Sequence, residues 1–175
     1  MEDALELETR RRIFQHVTRA PGIHLRELMR AVDLQPGSVE YHLAQLEKAG
    51  LLTAQDEGGR KRYFVVAQVS HPDKAVLGLL RQATPRRLLL LLLERPGRSF
   101  QELHREVGGA KSTLSFHMRK LTESGLVAVE QTGREHMYRV VEESRVAMLL
   151  VTYRESFLDA AVDHFAEVWL DLGRG

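Results

Sequence analysis

At one point in the sequence, Gly58-Gly59-Arg60-Lys61-Arg62, three cations stand directly behind a glycine turn. Strand alternation after such a turn sends Arg60 and Arg62 outward together, and cations projecting from a hairpin suit phosphate or minor-groove contact. Gly133-Arg134-Glu135-His136 is a weaker copy. Upstream of each hairpin lies a helical run. Placing its residues about 100° apart stacks Val39, Leu43 and Leu46 as a buried stripe and leaves Gly37, Tyr41, Ala44, Gln45 and Lys48 on the opposite arc, with Ser38 beside it. The second run starts at Lys111 and presents Ser112, Phe116, Arg119, Lys120 and Glu123, with Thr113 beside them. Slim, hydroxyl-bearing, amide, aromatic and basic groups on one helix face suit entry into the major groove of a duplex, where hydroxyls and amides meet base edges and cations meet phosphates.

Other chemistries find less support. The chain has no cysteine, which removes disulfides, thiolate metal sites and cysteine redox sensing. Neither a Gly-x-Ser-x-Gly elbow nor a Gly-x-x-x-x-Gly-Lys phosphate loop occurs. His42 and His117 sit about 60° off the buried stripes, and no second and third ligand stand nearby at helical spacing, so each reads as a histidine bonded locally or to a phosphate. Glu27 and Glu102 read as exposed helix residues. We therefore expect no enzyme, no metal and no cofactor.

The elements that position these groups occur twice. Shifted by 75 residues (Pro21 onto Pro96), the sequence lays Glu27-Leu28 on Glu102-Leu103, His42 on His117, Gly50-Leu51 on Gly125-Leu126 and Tyr63 on Tyr138, without a gap. Each copy reads as helix, short helix, turn, third helix, Gly-Leu, strand, glycine turn, strand. Thr9 is the expected cap of the first helix, Pro36 the first residue of the third, and Gly50 its left-handed terminator. Strands are expected at Leu51–Gln55 and Lys61–Val66, forming a two-stranded wing. Ser70 and Pro72 open a linker helix, Thr84-Pro85 caps and starts the next, and Ser99 with Glu102 makes a capping box. The fold expected is mainly α with small β wings: a winged helix-turn-helix domain in residues 1–68, a helical linker in 69–84, a second such domain in 85–141, and a long C-terminal helix in 142–175.

In that last segment Val146, Leu149, Leu150, Tyr153, Phe157, Ala161, Phe165, Val168, Trp169 and Leu172 recur in steps of three and four. One helix of roughly 30 residues with a continuous apolar seam is expected. The seam either packs back on its own domain or pairs two copies. A helix too long for so small a domain to cover favours a homodimer through Leu150, Tyr153, Phe157, Ala161, Phe165 and Trp169.

Charge supports a division of tasks. The net charge is +1, but from Glu142 onward seven acidic residues face three arginines, so the preceding 141 residues carry about +5. The longest apolar run, Leu88 to Leu93, is too short to span a membrane, and the start of the chain is acidic, which points to the cytoplasm.

Arg11-Arg12-Ile13-Phe14, Pro21 to Leu28, Gly37 to Leu52 and Gly59 to Phe64 resemble the ArsR-type winged helix-turn-helix transcriptional regulators, especially the archaeal variety with two such domains. The resemblance covers Thr9–Val66 well and Arg86–Val141 more loosely. It implies a regulator binding double-stranded DNA, with Ser38, Tyr41, Gln45, Thr113, Phe116 and Arg119 in the reading position and Arg60 and Arg62 on a wing. Lys48, Lys61, Lys111, Ser112, Lys120 and Arg134 complete the expected contact set. The chain departs from the metal-responsive members in lacking cysteine, and its second unit departs further, with Phe116 in place of Tyr41 and Glu123 in place of Lys48. The rival expectation is a protein-interaction module of a larger assembly, which would show exposed aliphatic side chains on the same helix faces. No effector is indicated by the residues.

Overall fold

The computed structural model describes residues 4–173; Met1–Asp3 and Arg174–Gly175 of the expected end segments lie outside the described residues. The chain divides between Gly78 and Leu79 into two compact units.

The first unit runs α1 (Ala4–Arg19), β1 (Ile23–His24), α2 (Leu25–Val32), α3 (Pro36–Lys48), β2 (Leu52–Glu57) and β3 (Arg60–Val65), followed by α4 (His71–Leu80), within which the division falls. Its core is built from one stripe of each helix and the inner face of the sheet: Ile13, Val17, Leu28, Val32, Val39, Leu43, Leu46 and Leu52 are all buried. Pro36 opens α3, where its missing N–H costs nothing, and Gly50 follows at φ 72. Thr9 does not start α1, which begins before it at Ala4.

The expected two-stranded wing forms as the β2–β3 hairpin, and β1 extends it into a three-stranded sheet. β3 pairs antiparallel with β2 from Leu52↔Val65 to Glu57↔Arg60, and also with β1 through Ile23↔Tyr63 and His24↔Arg62. Gly58 and Gly59, at φ 60 and 83, are the two central residues of the hairpin turn, which needs positive φ at both.

The second unit repeats this plan with α5 (Ala83–Glu94), β4 (Arg98–Ser99), α6 (Phe100–Val107), α7 (Lys111–Glu123), β5 (Val127–Thr132) and β6 (Glu135–Val140) in a β4-β6-β5 sheet. Gln82, not Thr84, occupies the N-cap of α5. The Ser99–Glu102 capping box forms as expected, with Ser99 N–H donating to Glu102 Oε2 at 2.8 Å and Glu102 N–H to Ser99 Oγ at 3.2 Å. The Arg95 guanidinium, then the Ser99 N–H, hold the Glu102 carboxyl down at about 2.

The C-terminal segment is not one helix. It forms α8 (Glu143–Thr152), α9 (Arg154–Phe157) and α10 (Ala160–Leu172). The chain breaks where Leu158 adopts φ 51 and Asp159 caps α10 by accepting from Ala161 N–H at 3.0 Å. The reason lies in α5. Leu88 to Leu92 are buried on every side of that helix, and each contributes roughly 2 kcal/mol relative to exposure. The α6, α7 and β6 elements cover one side of α5, and α10, packed on α8, covers another. A straight 30-residue helix would leave that side wet.

Two arginines fasten this layer. Arg81 Nη1 donates to Ser156 Oγ at 2.8 Å, and Arg86 Nε to Asp159 Oδ2 at 2.8 Å, with both guanidinium groups over the Phe157 ring at 4.5 and 5.6 Å. Burial pushes the Asp159 carboxyl up, but the Arg86 guanidinium and the Ala161 and Val162 amides outweigh it and hold the group below its ordinary value.

Candidate nucleic-acid interface

Each unit turns its third helix outward along the arc read from the sequence. Gly37, Tyr41, Ala44 and Lys48 on α3 are exposed, with Ser38 and Gln45 half-buried. On α7, Lys111, Ser112, Thr113, Phe116, Arg119 and Glu123 are exposed. Lys120 is half-buried, its Nζ donating to Gln82 Oε1 at 3.5 Å, so it is less free than the sequence suggested.

One aromatic residue projects from each of these faces. Tyr41 is 48% and Phe116 54% exposed, and the Arg10 guanidinium lies 6.0 Å from the centre of the Tyr41 ring. Each leans edge-on against the neighbouring histidine, at 5.2 and 5.3 Å between ring centres, which fixes its direction. An outward ring held in this way is chemically suited to apolar contact with a thymine methyl.

The helix N-termini add donors unequally. Neither Gln35 before α3 nor Ala110 before α7 makes a side-chain cap, and neither first turn contains an acidic residue. Pro36 has no N–H and the Ser38 N–H donates to the Gln35 carbonyl at 3.1 Å, so α3 offers an anion little beyond its Gly37 N–H and dipole, whereas α7 begins with Lys111 and Ser112. Lys111 stands at the start of α7 and Lys48 at the end of α3.

Arg60 and Lys61 are exposed behind the Gly58-Gly59 turn, where Asp56 Oδ1 braces the hairpin by accepting from Gly59 N–H at 2.8 Å. Arg134 is exposed on the second hairpin. Arg62, expected to point outward with Arg60, is turned inward and only 4% exposed. Its Nη1 donates to the Gly22 carbonyl at 3.0 Å, and its Nε bonds the Glu57 carboxylate. The strand β1, too short for any periodicity signal, creates this inner site. The alternation that pairs Arg62 with Arg60 also pairs it with Phe64, which is fully buried.

His42 is 5% exposed, deeper than its sequence position suggested, and neither its Nδ1 nor that of His117 has a hydrogen-bond partner. Burial first, then Arg10, lowers the pKa of His42, with Glu6 opposing; burial and Lys120 lower that of His117. Burial thus disfavours the charged form of both rings, and neither Nδ1 makes the local hydrogen bond expected of it. No group of three metal-ligating side chains occurs among the described residues, and none of the described helices is long and apolar enough to cross a membrane.

Of the residues expected at a dimer surface, Leu150, Phe157 and Phe165 are buried within their own unit, while Tyr153, Ala161 and Trp169 are half-buried. Trp169 stacks on Phe165 at 5.7 Å. What α10 leaves outside is the flank of the seam, Val168 at 46% and Leu172 at 75% exposed.

Residues 7–77 match the family model described as an N-terminal HTH domain, and residues 79–130 match one described as a helix-turn-helix domain. The chain carries two helix-turn-helix domains in tandem. Their winged form is that of the ArsR-type resemblance drawn from the sequence. An uncharacterized HTH-type transcriptional regulator of Methanocaldococcus jannaschii is 28% identical to this tandem helix-turn-helix protein over 141 residues, 81% of this chain and 35% of that one. The chain thus spans about a third of the length of that relative. Among solved structures, the transcriptional repressor BigR from Xylella fastidiosa is 26% identical, covering 46% of this chain and 81% of its own, with a TM-score of 0.41. An ArsR family transcriptional regulator is 23% identical, covering 51% and 94%, with a TM-score of 0.39.

Proposed function

We propose that this tandem helix-turn-helix protein is a transcriptional regulator that binds double-stranded DNA sequence-specifically in the cytoplasm, without catalysing a reaction. The observation that carries the reading is the pair of equivalent helices with outward Tyr41 and Phe116 rings. An interaction module would bare aliphatic side chains on those arcs, and apart from Ala44 they carry none. The name of the M. jannaschii relative, an HTH-type transcriptional regulator, supports the same reading.

In this reading Ser38, Tyr41, Gln45, Lys48, Lys111, Ser112, Thr113, Phe116 and Arg119 form the groove-facing set, and Arg60, Lys61 and Arg134 meet phosphates. Lys120 contributes after releasing Gln82. Two copies pair through the flank of α10 at Ala161, Val168 and Leu172. The apolar arc of that helix is wider than its own unit covers, and exposed Leu and Val side chains in line gain by meeting their like.

A gel shift with fragmented genomic DNA at low ionic strength, followed by footprinting on retained fragments, tests the reading. Retention that weakens steeply with salt and protects discrete sites is expected. No retention at low salt would overturn it.

A further inference from the structure

The two third helices differ on the side facing their wings. On α3 that side carries Glu40 and Glu47, which with α2 and the β3 end of the wing line a cleft of about 790 Å³. Neither carboxylate has an ion-pair partner among the described residues. Both are felt across the cleft at Tyr63, whose hydroxyl is pushed up first by burial and then by Glu47 and Glu40. In the second unit the positions of Glu40, Ala44 and Glu47 are taken by Ser115, Arg119 and Thr122. The Tyr138 hydroxyl there is raised by burial alone.

This difference sits where a duplex would be most sensitive to it. With a helix in the major groove and a wing over the adjoining minor groove, the phosphate ridge that separates the grooves passes between helix and wing. On α3 that ridge meets two carboxylates that no ion pair holds, with Arg26 and Arg30 of α2 lining the same cleft and softening their field. On α7 it meets two hydroxyls and a guanidinium. The wing tips differ in the opposite sense, with exposed Arg60 and Lys61 against Arg134 followed by Glu135. The first unit therefore has the more attractive hairpin, and the second has the helix better able to approach base edges.

Building on the DNA-binding reading above, we propose that the two units divide the work. The second reads sequence chiefly through Ser115, Phe116 and Arg119, while the first, its groove-facing helix weakened by Glu40 and Glu47, chiefly supplies sequence-independent attraction through Arg60 and Lys61.

The test uses the full chain. A preferred duplex is selected from a randomised pool, and affinity is measured for it and for a scrambled duplex, with circular dichroism as the check on folding. Arg119→Ala is expected to cut the ratio of the two affinities about tenfold, the scale of one lost bidentate base contact. Gln45→Ala on α3 is expected to change that ratio less than about twofold, and Arg60→Ala with Lys61→Ala to weaken both duplexes alike. Glu40→Gln with Glu47→Gln is expected to tighten binding to both by roughly three- to tenfold. If Gln45→Ala costs as much selectivity as Arg119→Ala, the division is wrong. If the double Gln variant weakens the selected duplex, Glu40 or Glu47 is reading a base donor and the proposal is overturned. A wild type that binds no duplex at low salt removes the DNA-binding reading itself; binding with the wrong variant pattern removes this inference alone.

Discussion

The Arg62 guanidinium donates to the Gly22 carbonyl oxygen at 3.0 Å, joining residues 40 apart in the chain. With Glu57 on its other edge, this buried cation ties the wing to the turn between α1 and β1. Removing it leaves the Gly22 carbonyl without this donor and takes a cation from the Glu57 carboxylate. Arg62→Ala should therefore destabilise the first unit by about 2–3 kcal/mol, read as a lowered urea midpoint. It should leave the DNA affinity of the folded fraction unchanged. An unaltered midpoint with weakened binding would return Arg62 to the phosphate-contacting set.

The exposed pair behaves in the opposite way. Arg60→Ala with Lys61→Ala should leave the urea midpoint within about 0.5 kcal/mol of wild type, because neither side chain is packed. It should reduce the slope of log affinity against log salt by about one to two. Measuring retention between low and moderate salt checks this, and an unchanged slope would show that the hairpin is only a solvated turn.

What could be read in advance depended on how far the deciding signal extended along the chain. The third helices were legible because Val39, Leu43 and Leu46 specify one buried stripe, and simple helical geometry then assigns Tyr41 and Gln45 to the other side. Arg62 was misplaced because β1 is only two residues long, and its pairing with β3 is a tertiary event. Phe64, two residues further along the same strand face, was the available warning. The C-terminal seam misled for a different reason. Steps of three and four continue across Leu158 and Asp159, so periodicity alone shows no break. Asp159 as a cap, together with Leu88–Leu93 needing cover on more than one side, pointed to a chain that folds back.

Histidine protonation gives a pH signature. The folded-state pKa of His42 is depressed, by burial first and by Arg10 second, so the native state disfavours the imidazolium. Between the folded value and about 6.5 the unfolded chain binds more protons, and stability then rises with pH. The stabilising contribution is complete above about pH 6.5 and is lost as pH falls towards the folded value. Urea midpoints at pH 7.5 and 5.5 should show the decline, and His42→Gln should make it shallower. His117 and His16, shifted the same way, contribute the remainder. An equally steep decline in the variant would place the titration elsewhere.

The C-terminal layer separates packing from pairing. Phe157 is 7% exposed beneath the Arg81 and Arg86 guanidinium groups, so Phe157→Ala empties a buried site and should cost roughly 3 kcal/mol of stability. Val168 and Leu172 lie outside that layer, and charges placed there meet water in a monomer but an apolar neighbour in a dimer. Val168→Asp with Leu172→Asp should accordingly halve the mass seen by light scattering while leaving the thermal midpoint of dilute protein nearly unchanged. The same variant should weaken binding to a site with two half-sites more than to one half-site, because pairing raises the effective concentration of the second contact. A wild type that scatters as a monomer at every concentration tried would eliminate the α10 flank as a pairing surface, leaving the fold of the second unit as the sole role of α8 to α10.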